Sequence, residues 1–148
     1  MTDPAPSRQP RLSIGEVAQR TGLSVHALRF YEREGLLASP VARTADGRRA
    51  YRERDLEWLD LCIKFRSSGM PLAAIRRYAG LVRDGPGNEK ERLDILRQHQ
   101  QRVTAQIVAL TTCLQMINFK VNLYQDSLTA DSSDPIWADI QECLTNYE

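Results

Sequence analysis

Residues 13–35 read SIGEVAQRTGLSVHALRFYEREG, and this stretch decides the fold. Ser13 and Glu16 stand at the spacing of a capping box, in which each side chain accepts the other residue's exposed backbone N–H. Ile14, Val17 and Ala18 then form an apolar stripe at helical spacing. Thr21-Gly22-Leu23 stops that helix. Ser24 caps a second one, which runs to about Glu34, and Gly35 suits the left-handed position beyond its end. Two short helices separated by three or four residues that include a glycine have the spacing of a helix-turn-helix.

Leu36 to Tyr51 is too short and too polar for a helix. Val41-Ala42-Arg43 and Arg49-Ala50-Tyr51 flank a turn containing Asp46-Gly47, which predicts a small β-ribbon. A third helix is expected from about Glu53 to Arg66, with Leu56, Leu59 and Ile63 on one stripe and Trp58, Cys62 and Phe65 beside it. Ser67-Ser68-Gly69 breaks it. Pro71 suits the first turn of a fourth helix, which should bury Leu72, Ile75, Ala79 and Val82 before Asp84-Gly85-Pro86-Gly87 stops the chain. Asn88 and Glu91 then predict another capping box.

From there Leu93, Leu96, Gln100, Val103, Ile107, Leu110, Leu114, Ile117, Val121, Tyr124 and Leu128 alternate spacings of three and four. All but Gln100 are apolar, the pattern of a coiled-coil seam. A helix from 88 to 128 would be roughly 60 Å long at about 1.5 Å per residue. Nothing else in the chain is long enough to cover it, so the same helix of a second copy is the expected partner. The reading is of a mainly α protein in four parts. These are a flexible arm at 1–10, a winged helix-turn-helix at 11–83, a dimerisation helix at 88–128 and a tail at 129–148. The tail carries Ile136, Trp137, Ile140 and Leu144 on one face of a short helix opened by Pro135, and the dimer seam is the surface expected to receive it.

Composition narrows the function. The chain has 148 residues, 42% hydrophobic and 26% charged, a soluble globular balance. It shows neither an 18-residue apolar run nor an apolar segment near the N-terminus, so the expectation is a cytoplasmic protein without a membrane span or secretory signal. Cys62, Cys113 and Cys143 are spaced too widely for a disulfide framework or a paired-cysteine metal knuckle. Up to Arg83 there are 15 Lys/Arg against 9 Asp/Glu; from Asp84 onward there are 5 against 10. A basic front and an acidic back point to a polyanionic partner for the front alone. No nucleophile–base set, glycine-rich phosphate loop or paired-carboxylate constellation stands out, so neither an enzyme nor a cofactor or metal is expected.

Leu12–Leu81 resembles the DNA-binding domain of the MerR transcriptional regulators almost throughout. The matching strings are Ile14-Gly15-Glu16-Val17-Ala18, Thr21-Gly22-Leu23-Ser24, Leu28-Arg29-Phe30-Tyr31-Glu32, Glu34-Gly35-Leu36-Leu37, Gly47-Arg48-Arg49-Ala50-Tyr51, Asp55-Leu56 and Ser68-Gly69-Met70. One departure is Arg48, where the family usually has a tyrosine in its wing. The resemblance implies a homodimer joined by an antiparallel coil. It also implies double-stranded promoter DNA as partner, and influence on RNA polymerase through distortion of an over-long promoter spacer. The second helix of a helix-turn-helix enters the major groove. Ser24, Val25, His26, Arg29 and Tyr31 are therefore expected at the DNA, with Arg29 on phosphate as in the family and Phe30 packed inward. Arg43, Arg48, Arg49 and Tyr51 are expected to bring the ribbon onto the backbone, while Arg20, Arg33, Arg52 and Arg54 are weaker candidates.

The segments Ile75–Arg83, Glu91-Arg92-Leu93 and Asn118-Phe119-Lys120-Val121 resemble the branch that answers aldehydes, electrophiles and nitrosative or oxidative stress. That implies a small-molecule effector and makes Cys62 a candidate sensor thiol, its pKa lowered by Lys64 and Arg66 if it is partly exposed. The plainer reading makes Cys62 a small buried apolar residue. Two other functions stay open on sequence: an effector-independent architectural module of the excisionase type, and a coiled-coil adaptor that binds protein rather than DNA.

Overall fold

The computed structural model describes residues 11–130, so the arm and the tail helix with Trp137 and Cys143 lie outside the described residues. The first helix, α1, spans Ile14–Thr21 and opens on the expected capping box. Ser13 Oγ accepts from Glu16 N at 3.2 Å, and Glu16 Oε2 accepts from Ser13 N at 2.7 Å. These bonds hold the Glu16 carboxyl below the usual range, so their contribution is present above the ordinary carboxylate pKa and is lost as pH falls. Gly22 ends α1 at φ +76°, a left-handed turn that a side chain would strain. Ser24 starts α2, Val25–Arg33, its Oγ accepting from Ala27 N at 3.0 Å.

A two-stranded antiparallel ribbon follows, β1 Ala42–Arg43 and β2 Arg49–Ala50, with Ala42 opposite Ala50 and Arg43 opposite Arg49. Its turn closes through Thr44 N to Arg48 O at 2.8 Å, with Gly47 at φ +81°. One pairing was not foreseen. Leu12 and Tyr51 exchange two backbone hydrogen bonds, 2.8 and 2.9 Å, tying the ribbon's exit to the chain just before α1.

Helix α3 spans Glu53–Ser67, and Asp55 accepts from Arg52 N at 2.7 Å in its first turn. Pro71 stands just outside α4, Leu72–Arg83, its carbonyl accepting from Ala74 and Ile75. The buried stripe of α3 is Leu56, Leu59 and Cys62, while Ile63 is half-buried; in α4 Ile75 and Ala79 are buried but Leu72 and Val82 only half so. Leu56, Leu59, Cys62 and Ile75 form one continuous core with Val17, Leu28, Tyr31, Leu36 and Tyr51, and Leu72 packs against it.

The long helix α5 runs Glu89–Thr129. Asn88 does not close a box with Glu91: its side chain donates to Leu81 O and accepts from Arg92 Nε. The described chain divides after Gln100 into two compact units, so the first three turns of α5 belong with the helix-turn-helix rather than with the rest of the rod. There Ile95 and His99 are buried in the core. Trp58 stacks on Tyr78 at 5.7 Å, Phe65 meets Tyr78 edge-on at 5.9 Å, and the His99 ring meets Phe65 at 6.1 Å, a row of rings linking α3, α4 and α5. Along the second unit the seam is uncovered. Ile107, Leu110, Leu114, Ile117, Val121, Tyr124 and Leu128 are each 46–83% exposed, whereas Leu96 and Val103 are half-buried.

Candidate nucleic-acid interface

The sequence of α2 sorts its side chains into two faces. Leu28 and Tyr31 are buried against α1 and α3 core residues, which holds the helix down. His26 and Arg29 are exposed and Val25 is half-buried, so the stripe at the helix's first turns is open to a duplex. Arg29 has no ion-pair or hydrogen-bond partner among the described residues, leaving its fork of donors available. Ser24 spends its side chain on the N-cap.

Two expected contacts are corrected. Tyr31 is 8% exposed and belongs to the core, while Phe30 is the half-buried ring of the pair, with Arg33 lying 5.6 Å above it. Tyr51 is fully buried and its hydroxyl has no hydrogen-bond partner. Neither tyrosine presents a surface to a groove. Burial pushes both phenols up from their ordinary pKa.

The ribbon arginines differ among themselves. Arg48 is 84% exposed at the turn and pairs with Asp46 at 3.0 Å. Arg43 donates through Nη2 to Glu32 Oε1 at 2.9 Å, and Arg49 donates through Nε to Glu32 Oε2. Sequence reasoning passed over Glu32, because a charge count cannot tell which cations are already engaged within the chain. It also passed over Arg76 and Arg83 of α4. Arg76 holds the Glu34 carbonyl at 2.7 Å and its carboxylate at 2.8 Å, and Arg83 donates to Gly35 O at 3.0 Å and to Leu37 O. These two cations hold carbonyls of the turn that follows α2, while the helix's last carbonyls, Phe30, Tyr31 and Glu32, accept from the backbone N–H groups of Glu34, Leu36 and Gly35. Arg20 is likewise paired, with Glu53.

For Cys62 the burial agrees with the plainer of its two readings, a small buried apolar residue. It has no exposed surface, its Sγ lies 3.7 Å from Leu36 O, and burial pushes the thiol up to about 12. Lys64 and Arg66 therefore do not activate it in this packing, and a thiolate nucleophile is absent at neutral pH. Cys113, by contrast, is exposed on α5. Unfolded cysteine and tyrosine ionise near about 8.5 and 10, so the unfolded chain sheds these protons before the folded one does. The contribution of these buried groups to folding stability is expected to be full below about pH 8.5 and to fall as pH rises toward 12. Urea midpoints across that range should show the fall, and Cys62→Ala should delay its onset. Alkylation mapped by peptide should label Cys113 in the native protein and Cys62 only after unfolding.

Among the described residues no helix is long and apolar enough to cross a membrane, and no three His, Cys, Asp or Glu side chains stand together as a metal set. Comparison with known proteins gives two overlapping family matches: a MerR helix-turn-helix regulatory-protein model over residues 12–80, and a MerR DNA-binding model over residues 56–118. A helix-turn-helix transcriptional regulator of Haemophilus influenzae is 34% identical over 113 residues, 76% of this chain and 83% of that one. The regulator AdhR of Bacillus subtilis is 35% identical over 92 residues, 62% and 65% of the two chains. Among solved structures, HiNmlR, described as a MerR family regulator lacking the sensor domain and bound to promoter DNA, is 32% identical with a TM-score of 0.73 over 82% of this chain and 96% of that one. A MerR family regulator from Listeria monocytogenes is 26% identical with a TM-score of 0.77 over 92% and 96%. These relatives are regulators, not enzymes.

Proposed function

The chain belongs to the MerR family of helix-turn-helix proteins and is a DNA-binding transcriptional regulator, and from that premise we propose that it acts as a homodimer paired along α5, distorting promoter DNA in response to a small organic or electrophilic signal. The observation that carries the dimer is the uncovered apolar seam from Ile107 to Leu128. An exposed stripe of this length is an interaction surface by default, and its three-and-four spacing fits an identical helix. Two recognition helices joined through one coil would meet half-sites separated by whole turns of the duplex. Smooth bending of such a site costs on the order of 1–6 kcal/mol. That is comparable to a typical coupling energy of about 1–3 kcal/mol between an effector and a second site, so a ligand that biases the dimer can switch the promoter and, through it, RNA polymerase. The likeness of Ile75–Arg83 and Asn118–Val121 to the stress-responsive branch supports the choice of signal. Because Cys62 is buried, we assign recognition of that signal to groups other than its thiol.

Sedimentation velocity at micromolar concentration tests the reading: a dimer is expected, and a monomer would overturn it. The reading helix gives a sharper expectation. His26→Ala should relax discrimination at one base pair by about 1–3 kcal/mol while leaving binding to unrelated duplexes unchanged. A titration across single-position operator variants checks this, and identical preferences in both proteins would remove His26 from the base-reading set.

A further inference from the structure

We propose that Glu32 is a positioning residue for DNA binding, holding the wing arginines Arg43 and Arg49 in a phosphate-ready arrangement fixed to the recognition helix. The inference rests on the reading of α2 and the ribbon as the DNA-contacting surface. Arg43 and Arg49 are directly opposite each other in the two-residue ladder. Like charges in that register destabilise a strand pair, and a ribbon this short has little else to resist them. The Glu32 carboxylate sits between the two, one oxygen on each guanidinium, with Glu32 and Arg49 side chains only 24% and 25% exposed. Partial burial shields these pairs from salt better than the fully exposed surface does.

The geometry leaves the arginines able to bind elsewhere. Arg43 bonds Glu32 through Nη2 alone and Arg49 through Nε alone, and each guanidinium carries five donors. Glu32 also stands three residues after Arg29 and seven after Val25, on the same stripe of α2. One carboxylate thus joins the base-reading helix to the phosphate-gripping hairpin, so that placing one places the other. Arg48, which pairs only within its own turn, has no such anchor.

Simple charge counting makes the opposite forecast, because removing a carboxylate beside a phosphate-binding surface should tighten DNA binding. The test is affinity against salt concentration for operator and unrelated duplexes, using the full-length wild-type, Glu32→Gln and Glu32→Asp proteins. Glu32→Gln is expected to weaken both duplexes on the order of tenfold and to flatten the slope of log affinity on log salt by about 1–2, since each lost phosphate contact removes about 0.9. Glu32→Asp keeps the charge but not the reach to both arginines, and should show a smaller loss with the same flattening. It also serves if the glutamine variant does not fold. Equal or tighter binding with an unchanged slope in a folded variant would overturn the proposal. If the wild type bound neither duplex, the DNA-binding reading itself would fail instead.

Discussion

Leu110→Glu combined with Leu114→Glu is expected to yield a monomer whose operator affinity is about 10²–10⁴-fold below that of the wild type. In the single chain these leucines are 69% and 55% exposed, so replacing them removes no packing within the protomer. The unit up to Gln100 keeps its own core and should stay folded. In a paired coil the same positions would be covered, and glutamates there would confront each other or an apolar wall. The affinity lost is the gain of tethering a second head close to its half-site, so binding to an isolated half-site should be nearly unchanged. Sedimentation and fluorescence anisotropy read the two quantities separately. A double variant that remained dimeric with full operator affinity would place the protomer contact elsewhere.

The second large effect is on folding. Leu28→Ala is expected to cost about 2–5 kcal/mol, the range for emptying a packed site of this size. Small domains hold only about 5–15 kcal/mol in total, so that is a substantial share. Leu28 is 1% exposed and lies on α2 between the outward His26 and Arg29. It cannot touch DNA, yet it holds down the helix that is meant to. Denaturant unfolding should show a lower midpoint with an unchanged slope. DNA binding should weaken equally for all sequences, in contrast to the single-position effect expected of His26→Ala. A loss below about 1 kcal/mol would mean that the core closes over the missing side chain.

What the sequence makes legible here is local. The Ser13–Glu16 box, the stops at Gly22 and Gly35 and the Asp46-Gly47 turn each act over a few residues, and each stands where it was expected; α5 is one continuous helix over the span of its repeat. What it hides depends on neighbours distant in the chain. Tyr51 sits in the core with residues from several other elements, and its backbone pairs with Leu12 across the ribbon's exit, neither of which alternation in a two-residue strand could signal. Tyr31 joins Phe30 on the core side, and Cys62 is buried more deeply than Ile63, because adjacent positions on a short helix leave the phase of its buried face unsettled. Ile95 and His99 fall outside the seam register. Early in α5 a second face of the helix packs on the core, with His99 Nε2 2.7 Å from Ser68 Oγ. At the candidate interface, His26 and Arg29 could be singled out by position alone. Glu32, Arg76 and Arg83 could not, since their partners come from other elements.

The bare apolar stripe on α5 has a genetic consequence if two copies pair along it. Assembly then depends on supply: each tenfold dilution of chains disfavours the paired form by about 1.4 kcal/mol, and a solitary chain offers its greasy flank to quality-control proteases. An allele that ruins the head but spares the stripe would still recruit sound siblings into useless pairs. Mutations before Gln100 would tend to be dominant, and those that strip Ile107–Leu128 recessive.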